Sequence, residues 1–279
     1  MDVRGNKAEN SGSRWRSERS MNTALITGAS SGIGEVFARK LAARGRNVLL
    51  VARSEEKLIT LCNELGRSNS IRAQYVALDL SKPAAPAQLF AEAEKRGLSV
   101  DMLINNAGFG SMDEFSKLDL ARELNMIDLN VKSLVELTHR FLQPMIERKQ
   151  GAIINVASTA AFQPVPFMAT YAATKAFVLS FTEALWEENR SYGIKVIALC
   201  PGVTDTNFFE ASRGRKPPAR VSQTPDEVVD TALRGLERGK SQIISGWTNF
   251  LMTQSERLFP RSLVTRLAGR MMRSQQEKR

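Results

Sequence analysis

The feature that most constrains the fold of this chain is a regular alternation of short apolar runs with longer amphipathic stretches. From Thr23 onward, each run of apolar and β-branched residues ends in turn-forming residues and is followed by a stretch of helical length. Such alternation is typical of consecutive βαβ units, whose parallel strands are buried on both faces. The chain is therefore predicted to form an α/β fold.

The pattern predicts seven strands in one uninterrupted series, at residues 23–27, 47–52, 74–78, 102–105, 152–157, 195–200 and 242–245. The intervening helices are predicted at residues 34–44, 55–65, 84–96, 118–149, 171–192 and 226–237. One series of this kind favours a single doubly wound Rossmann-type domain with a seven-stranded parallel sheet. Ligands of such domains bind at the carboxyl ends of the strands.

Three segments depart from the alternation. Residues 1–20 are polar and predict a disordered basic extension, and Met21 either starts the native chain or follows a native extension. Residues 21–250 are predicted to form the Rossmann-type domain, and residues 203–224, which contain prolines and glycine, are predicted to form a long loop over the carboxyl edge of its sheet. Residues 251–279 combine apolar residues with arginines and predict a basic amphipathic tail that is interrupted at Pro260.

The net charge of +10 comes from 39 Lys and Arg against 29 Asp and Glu. It is concentrated in residues 1–20 (+2), 210–220 (+3) and 254–279 (+5), so the rest of the chain is neutral. A neutral body argues against nucleic acid as a partner. The basic tail predicts either weak peripheral contact with an anionic membrane surface or packing within an oligomer.

Cysteine and histidine content excludes further classes. The two cysteines, Cys62 and Cys200, are far apart in sequence, and His139 is the only histidine, so no Cys/His zinc site and no bound metal are expected. A Ser-His-acid hydrolase would have to use His139, which is predicted to be a helix-surface or packing residue. Neither an apolar leader nor a run of eighteen apolar residues occurs, and we expect a reducing, cytoplasmic location.

The first predicted strand ends in a glycine-rich turn that leads directly into a helix. Gly28 would permit the tight turn, and Gly34 would permit close helix packing, while the amides at the helix start face an anion. A glycine turn without a ligand is the competing interpretation. The position after the first strand favours a dinucleotide pyrophosphate, held by Gly28, Ser30, Ser31, Gly32, Ile33 and Gly34.

The end of the second strand indicates which dinucleotide is bound. A carboxylate there would accept hydrogen bonds from the adenosine ribose, whereas an arginine would pair with a 2′-phosphate. Arg53 occupies this place and no acid precedes Glu55, which favours NADP(H) over NAD(H), although a solvated loop charge is the other interpretation. Asp79 follows the third strand as either an acceptor for the adenine amino group or the N-cap of the next helix.

The catalytic candidates are Ser158 after the fifth strand and Tyr171 and Lys175 one helical turn apart. A tyrosine has an ordinary pKa of about 10, so a role in proton transfer requires a nearby cation to favour the phenolate. Lys175 would supply that cation, and Ser158 would hold the substrate oxygen. Because a Tyr-x3-Lys pair also occurs by chance on helix surfaces, the prediction depends on the joint arrangement.

Taken together, these motifs resemble the short-chain dehydrogenase/reductase family. The shared residues are Thr27-Gly28-x3-Gly32-x-Gly34, Asp79, Asn105-Asn106-Ala107-Gly108, Asn130, Ser158, Tyr171-Ala172-Ala173-Thr174-Lys175 and Pro201-Gly202. The resemblance implies strand order 3-2-1-4-5-6-7 and NAD(P)-linked oxidation or reduction at a carbonyl or alcohol carbon. It implies that Tyr171 is the acid or base, that Lys175 also binds the nicotinamide ribose, and that Asn130 holds a water in a proton relay.

The same resemblance implies further cofactor contacts from the loops after the fourth and sixth strands. These are Asn106, Ala107, Gly108, Pro201, Gly202, Val203 and Thr206, with Thr204 as the other candidate for the carboxamide contact. It also implies a homodimer or homotetramer formed through the two long helices. A catalytically silent dinucleotide-binding scaffold or redox sensor that acts through its basic ends is the competing function.

The substrate is less constrained. Aromatic and methionine residues on the loops after strands predict an apolar pocket, although about half of them are expected in the core: Phe109, Phe162, Phe167, Met168, Phe208, Phe209 and Trp247. The resemblance favours 3-oxoacyl, hydroxy-acid or steroid-like carbonyl compounds. A basic cluster would suit an anionic handle on the substrate, or is simply solvated: Arg213, Arg215, Lys216 and Arg220.

Overall fold

A computed structural model describes residues 22–212 and 222–276. Seven parallel strands form one sheet in the order β3-β2-β1-β4-β5-β6-β7. Their bounds are Asn22–Thr27 (β1), Asn47–Ala52 (β2), Ala73–Ala77 (β3), Ser99–Asn105 (β4), Gly151–Val156 (β5), Ile194–Cys200 (β6) and Gln242–Ile244 (β7). The predicted fold and strand order are confirmed. The order reverses between β1 and β4, which opens a crevice at their carboxyl ends.

Helices cover both faces of the sheet. Their bounds are Gly32–Ala43 (α1), Glu55–Asn69 (α2), Ala85–Lys95 (α3), Leu120–Ile127 (α4), Leu134–Glu147 (α5), Ala169–Glu188 (α6), Phe208–Ala211 (α7), Pro225–Glu237 (α8), Trp247–Ser255 (α9) and Arg261–Gln276 (α10). The neighbours Leu25 and Ile26 in β1 are both fully buried, but they belong to different apolar clusters. Ile26 packs with Phe37 of α1, and Leu25 packs with Leu89 of α3. Burial on both faces explains the continuous apolar runs in the sequence.

The helix predicted over residues 118–149 is interrupted in the structure. Between α4 and α5, residues Asp128–Ser133 form a π-helical segment. The wider turn leaves Asn130 and Ser133 buried rather than on a uniform amphipathic surface. A 3.6-residue periodicity could not reveal this local widening, which places Asn130 behind the crevice.

The segment after β6 leads through a short bridge to α8. Thr204 forms a parallel bridge with Gln223, and α8 starts with a capping box between Thr224 and Glu227. The basic cluster of this loop lies outside the described residues, as does the predicted extension at residues 1–20. Helix α9 runs across residue 250, and Pro260 separates it from α10 as predicted. Among the helices described, none has the length and apolar character needed to cross a membrane.

Candidate active site

Three predicted catalytic side chains converge on one cleft at the carboxyl edge of the sheet. Ser158 lies two residues beyond β5, where its Oγ accepts a hydrogen bond from the Ala160 amide at 3.1 Å and caps a single 3₁₀ turn. Tyr171 and Lys175 lie in the first two turns of α6, and both are buried. A strand end and a helix face therefore bring together residues that are far apart in sequence.

Burial dominates the protonation of Tyr171. It raises the pKa of the phenol to about 12, while a hydrogen bond with Ser158 acts in the opposite direction. The sequence predicted that Lys175 would lower this pKa, but in the protein alone burial raises it. At neutral pH Tyr171 is thus a neutral phenol that can donate a proton. Its ring centroid lies 5.2 Å from that of Phe208.

Lys175 lies beside Tyr171, held by the main chain of β5. Its Nζ donates to the Val156 carbonyl oxygen at 2.7 Å and lies 5.8 Å from the centroid of the Tyr171 ring. Burial lowers the pKa of the ammonium group to about 8, partly opposed by the thiol of Cys200. The group can therefore supply the positive charge that a developing phenolate at Tyr171 requires.

Asn130 supports the site from behind. Its Nδ2 donates to the Phe109 carbonyl oxygen at 3.0 Å and to Thr174 Oγ1 at 3.2 Å. Its Oδ1 accepts from the Phe109 amide at 3.2 Å. The Thr174 hydroxyl in turn donates to the Tyr171 carbonyl oxygen at 2.7 Å. Asn130 thereby fixes the loop after β4 relative to the helix that carries Tyr171 and Lys175.

The glycine turn has the geometry that an anion requires. Gly28 has a φ of +66°, which few other residues adopt without strain, and a Cβ on Gly34 would fall on the Gly28 carbonyl oxygen. Helix α1 begins at Gly32, and the side chain of the N-cap residue, Ser31, makes no capping hydrogen bond. The first amides of α1 therefore face the cleft as donors, which fits a dinucleotide pyrophosphate.

The turn is fastened to the neighbouring strand end. Thr27 Oγ1 accepts hydrogen bonds from the amides of Asn106 and Ala107, each at 2.9 Å. Asn106 Nδ2 donates back to the Thr27 carbonyl oxygen at 2.9 Å. These contacts join β1 to the loop after β4 across the crevice. They give Asn106 a structural role at the strand edge beside the cofactor cleft, as the family resemblance implies.

The adenosine end of the cleft contains Arg53 and Asp79, directly after β2 and β3. Burial would raise the pKa of the Asp79 carboxyl group, but hydrogen bonds from Ser81 and the charge of Arg53 lower it overall. The interpretation of Asp79 as a helix N-cap is wrong, because α3 begins at Ala85 after Ala84. Asp79 instead accepts from the Ser81 amide at 3.1 Å and from its hydroxyl at 2.8 Å.

The remaining predicted cofactor contacts line the same cleft, with the exception of Gly34; Asn130, predicted to hold a water in a proton relay, is also not among the lining residues. The lining residues among them are Gly28, Ser30, Ser31, Gly32, Ile33, Asn106, Ala107, Gly108, Pro201, Gly202, Val203 and Thr206, together with Thr204. The hydroxyl of Thr204 donates to the Gly202 carbonyl oxygen at 3.1 Å, whereas that of Thr206 accepts from the Phe208 amide at 3.3 Å.

The substrate end of the cleft is apolar, and the whole cleft has a volume of about 1010 Å³. Of the predicted pocket residues, Phe109, Met168 and Phe208 line it. Phe162 is partly buried and packs against a core cluster away from the cleft lining, and Trp247 is 72% exposed. Phe167 is not among the lining residues, and its carbonyl oxygen accepts from the Asp113 amide at 3.0 Å. The Phe209 side chain lies outside the described residues.

Two methionines that line the cleft were not predicted from the sequence. Met112 follows β4 at some distance from the recognised motif, and Met272 comes from α10, near the end of the chain. Both join Tyr171 and Met168 in one apolar cluster. No local pattern distinguishes Met272 from Met271, which is exposed, so only the docking of α10 identifies it.

Other ionisable groups in the described parts of the chain do not form a second centre. Within residues 22–212 and 222–276, no group of three His, Cys, Asp or Glu side chains is placed to hold a metal ion. Cys62 and Cys200 are buried free thiols, and burial raises the pKa of each. His139 lies on the exposed surface of α5, which is the first of the two predicted alternatives.

Comparison with known proteins agrees with this site. The family profile described as short chain dehydrogenase matches residues 22–216. Hydroxysteroid dehydrogenase-like protein 1 of Gallus gallus is 35% identical over 192 residues, which cover 68% of this chain and 58% of that protein. The very-long-chain 3-oxoacyl-CoA reductase of Bos taurus is 31% identical over 76% of this chain and 67% of its own length.

A short-chain dehydrogenase from Sphingobium yanoikuyae, solved in complex with NADPH, has a similar structure. It is 31% identical, with a TM-score of 0.78, and the match covers 85% of this chain and 93% of that one. The chain therefore belongs to the short-chain dehydrogenase/reductase family of oxidoreductases, which bind a nicotinamide dinucleotide.

Proposed function

We propose that the protein transfers a hydride between NADP(H) and the carbonyl or secondary alcohol carbon of an apolar substrate of 3-oxoacyl, hydroxy-acid or steroid-like character. One observation carries this proposal. Tyr171, the proposed acid or base, belongs to the same apolar cluster as Met112, Met168 and Met272, so its hydroxyl group meets a substrate in a large apolar chamber. Such a chamber favours a bulky apolar group next to the reacting carbon.

The dinucleotide would be held by the glycine turn, by Arg53 and Asp79 at the adenosine end, and by Lys175 at the nicotinamide ribose. When bound, it supplies or accepts the hydride. In the reducing direction, Ser158 donates a hydrogen bond to the carbonyl oxygen, and Tyr171 transfers its phenolic proton to that oxygen as the hydride reaches the carbon. The Lys175 ammonium group then stabilises the phenolate that remains, and the reverse transfers perform the oxidation.

The preference for the phosphorylated cofactor depends on Arg53. The guanidinium lies at the end of β2, where a 2′-phosphate would accept charge-assisted hydrogen bonds. The positive charge of Arg53 also acts on Asp79 and helps to lower the pKa of its carboxyl group. The NADPH complex of the Sphingobium relative supports the same choice.

The competing function is a silent dinucleotide-binding scaffold. The test is the oxidation of NADPH by the full chain with a panel of aliphatic 3-oxoacyl thioesters, 3-oxo acids and steroid ketones. We expect turnover with at least one class, and loss of turnover with retained NADPH binding in Tyr171→Phe. NADPH binding without turnover across the panel would favour the scaffold, and full activity of Tyr171→Phe would overturn the mechanism.

A homo-oligomer is proposed as well. Apolar side chains are exposed on α4 and α6, the helices expected to pair between subunits: Leu120, Leu124 and Phe177. Sedimentation of wild type and of Phe177→Ser tests this proposal. A lower assembly state in the variant would support pairing through these helices, and a monomeric wild type would contradict it.

A further inference from the structure

Helix α10 has a docked side and an exposed apolar side. The docked side includes Gly269, where a Cβ would lie 3.3 Å from Pro166, and Met272, which lines the catalytic cleft. Leu263 and Leu267 lie four residues apart on another side and are 43% and 49% exposed. Met271 continues this row and is 68% exposed. At a rotation of 100° per residue this row lies on the side of the helix opposite Gly269 and Met272, so the contact with the catalytic domain does not cover it.

A row of arginines flanks the exposed apolar row. Arg266, Arg270 and Arg273 are exposed, and at a rotation of 100° per residue they lie beside Leu263, between the leucine row and the docked side. Residues 261–276 contain four arginines and neither Asp nor Glu. The outer surface of α10 thus has an apolar stripe bordered by positive charge, the arrangement of helices that lie in the plane of a lipid interface.

The charge of this surface argues against the other occupants. A second copy of the chain that packed symmetrically on α10 would bring the same four arginines to the contact, and like charges repel there. Residues 1–20 also carry a positive net charge, so they do not neutralise the arginine row. An anionic lipid surface matches both the apolar row and the arginine row of α10. Acyl chains can contact the leucines, and headgroup phosphates can pair with the arginines.

We propose that α10 is a docking surface for anionic lipid bilayers. The leucine row enters the boundary between headgroups and acyl chains, and the arginine row pairs with phosphates. Since Met272 of the same helix lines the catalytic cleft, docking places the substrate end of the cleft beside the lipid. The proposal concerns a surface outside the catalytic machinery, so it stands or falls independently of the proposed oxidoreductase activity.

The test is co-sedimentation of the full chain with vesicles of phosphatidylcholine alone and of phosphatidylcholine with phosphatidylglycerol. We expect binding to the anionic vesicles only, with release as salt is raised. The double variant Arg266→Gln/Arg270→Gln should lower the partition coefficient by about 25-fold, since each arginine near such a surface contributes about fivefold. Leu263→Ser/Leu267→Ser should also weaken binding. Thermal unfolding of each variant verifies that it is folded.

The matched control is Arg67→Gln/Arg72→Gln, which removes the same charge from exposed positions at the end of α2 and just before β3. It should bind vesicles like wild type. Absence of binding to anionic vesicles at low salt would overturn the proposal, as would an equal loss in the control. A change of assembly state in Leu263→Ser/Leu267→Ser with unchanged vesicle binding would identify α10 as a self-association surface and would overturn it too.

Discussion

Asn130 and Phe109 are joined by a reciprocal pair of hydrogen bonds: the Asn130 side-chain amide donates to the Phe109 carbonyl oxygen at 3.0 Å and accepts from its amide at 3.2 Å. The pair connects the π-helical segment with the loop that follows β4. Gly108 in that loop lies close to both Asn130 and Lys175, since a Cβ there would be 2.9 Å from Asn130 Oδ1 and 3.6 Å from Lys175 Nζ. A residue that does not line the cleft therefore fixes part of its wall.

Replacement of Asn130 by Ala should loosen this wall. Two partly buried backbone groups of Phe109 would lose their partners, so the free energy of unfolding should fall by about 2 kcal/mol and the Tm by several degrees. Turnover should fall as well, because the loop no longer holds its position. Asn69→Ala, which removes one hydrogen bond from the Leu65 carbonyl oxygen at the end of α2, is the control. An equal loss of stability in both variants would contradict the special role of Asn130.

Replacement of Arg53 by Asp should reverse the cofactor preference. Loss of charge-assisted hydrogen bonds to a 2′-phosphate should lower kcat/KM with NADPH by about 10- to 100-fold, while NADH, which lacks the phosphate, should be used as well as before or better. Steady-state kinetics with both cofactors measure the change. Arg72→Asp, with the same charge change at an exposed position, is the control. An unaltered ratio in Arg53→Asp would refute the assignment.

Replacement of Lys175 by Met should abolish turnover and increase the stability of the folded protein at neutral pH. The folded protein lowers the pKa of Lys175 from 10.5 to about 8, so between pH 8 and 10.5 the unfolded chain binds more protons than the folded one. The free energy of unfolding of the wild type therefore rises with pH across this window. Below pH 8 the buried ammonium group destabilises the folded state. The variant should lose turnover yet be more stable at pH 7, with the difference shrinking toward pH 10.

Chemical denaturation at a series of pH values measures this effect. Lys195→Met, at an exposed position of β6, removes one lysine without relieving a buried charge and should show no gain at pH 7. A stability difference for Lys175→Met that stayed constant from pH 7 to pH 10 would show that burial of the ammonium group is not its cause.

Two glycines should respond to alanine in opposite directions. At Gly34 a Cβ would meet the Gly28 carbonyl oxygen and would lie 2.6 Å from Asn106 Nδ2, so Gly34→Ala should push α1 off the turn and weaken both stability and NADPH binding. At Gly66, inside α2, the nearest atom would be 3.8 Å away. Gly66→Ala should therefore stabilise the protein by about 0.5–1 kcal/mol. Thermal unfolding and NADPH titration distinguish the two, and equal behaviour would refute the close packing at Gly34.

The C-terminal helix should influence substrate selection through one side chain. Met272→Ala removes apolar surface from the cleft and should lower kcat/KM for a bulky carbonyl substrate by about tenfold, with the affinity for NADPH unchanged. Met271→Ala alters the neighbouring exposed position and should leave kinetics as in wild type. If the two variants gave the same kinetics, Met272 would not contact the substrate.

Sequence periodicity could predict the sheet because its strands are buried on both faces and read as unbroken apolar runs. The sequence also revealed the site, because the carboxyl ends of strands in a parallel sheet all reach one edge. Its visible parts were the turn residues after β1, the arginine after β2 and the arrangement of Ser158, Tyr171 and Lys175. The placement of these residues on one cleft follows from topology alone. The π-helical segment at Asn130 was not visible, because it changes the helix period over only a few residues.

The sequence by itself determined the fold class, the strand order that the motifs imply, and the set of polar residues at the cleft. Only the tertiary structure decided which apolar residues form the chamber. Phe109 and Phe162 look alike in sequence, yet Phe109 lines the cleft and Phe162 packs against a different apolar cluster. Met272 reaches the cleft only because α10 docks through Gly269 onto Pro166. Such long-range packing depends on the shape of both surfaces, and local residue patterns carry no information about it.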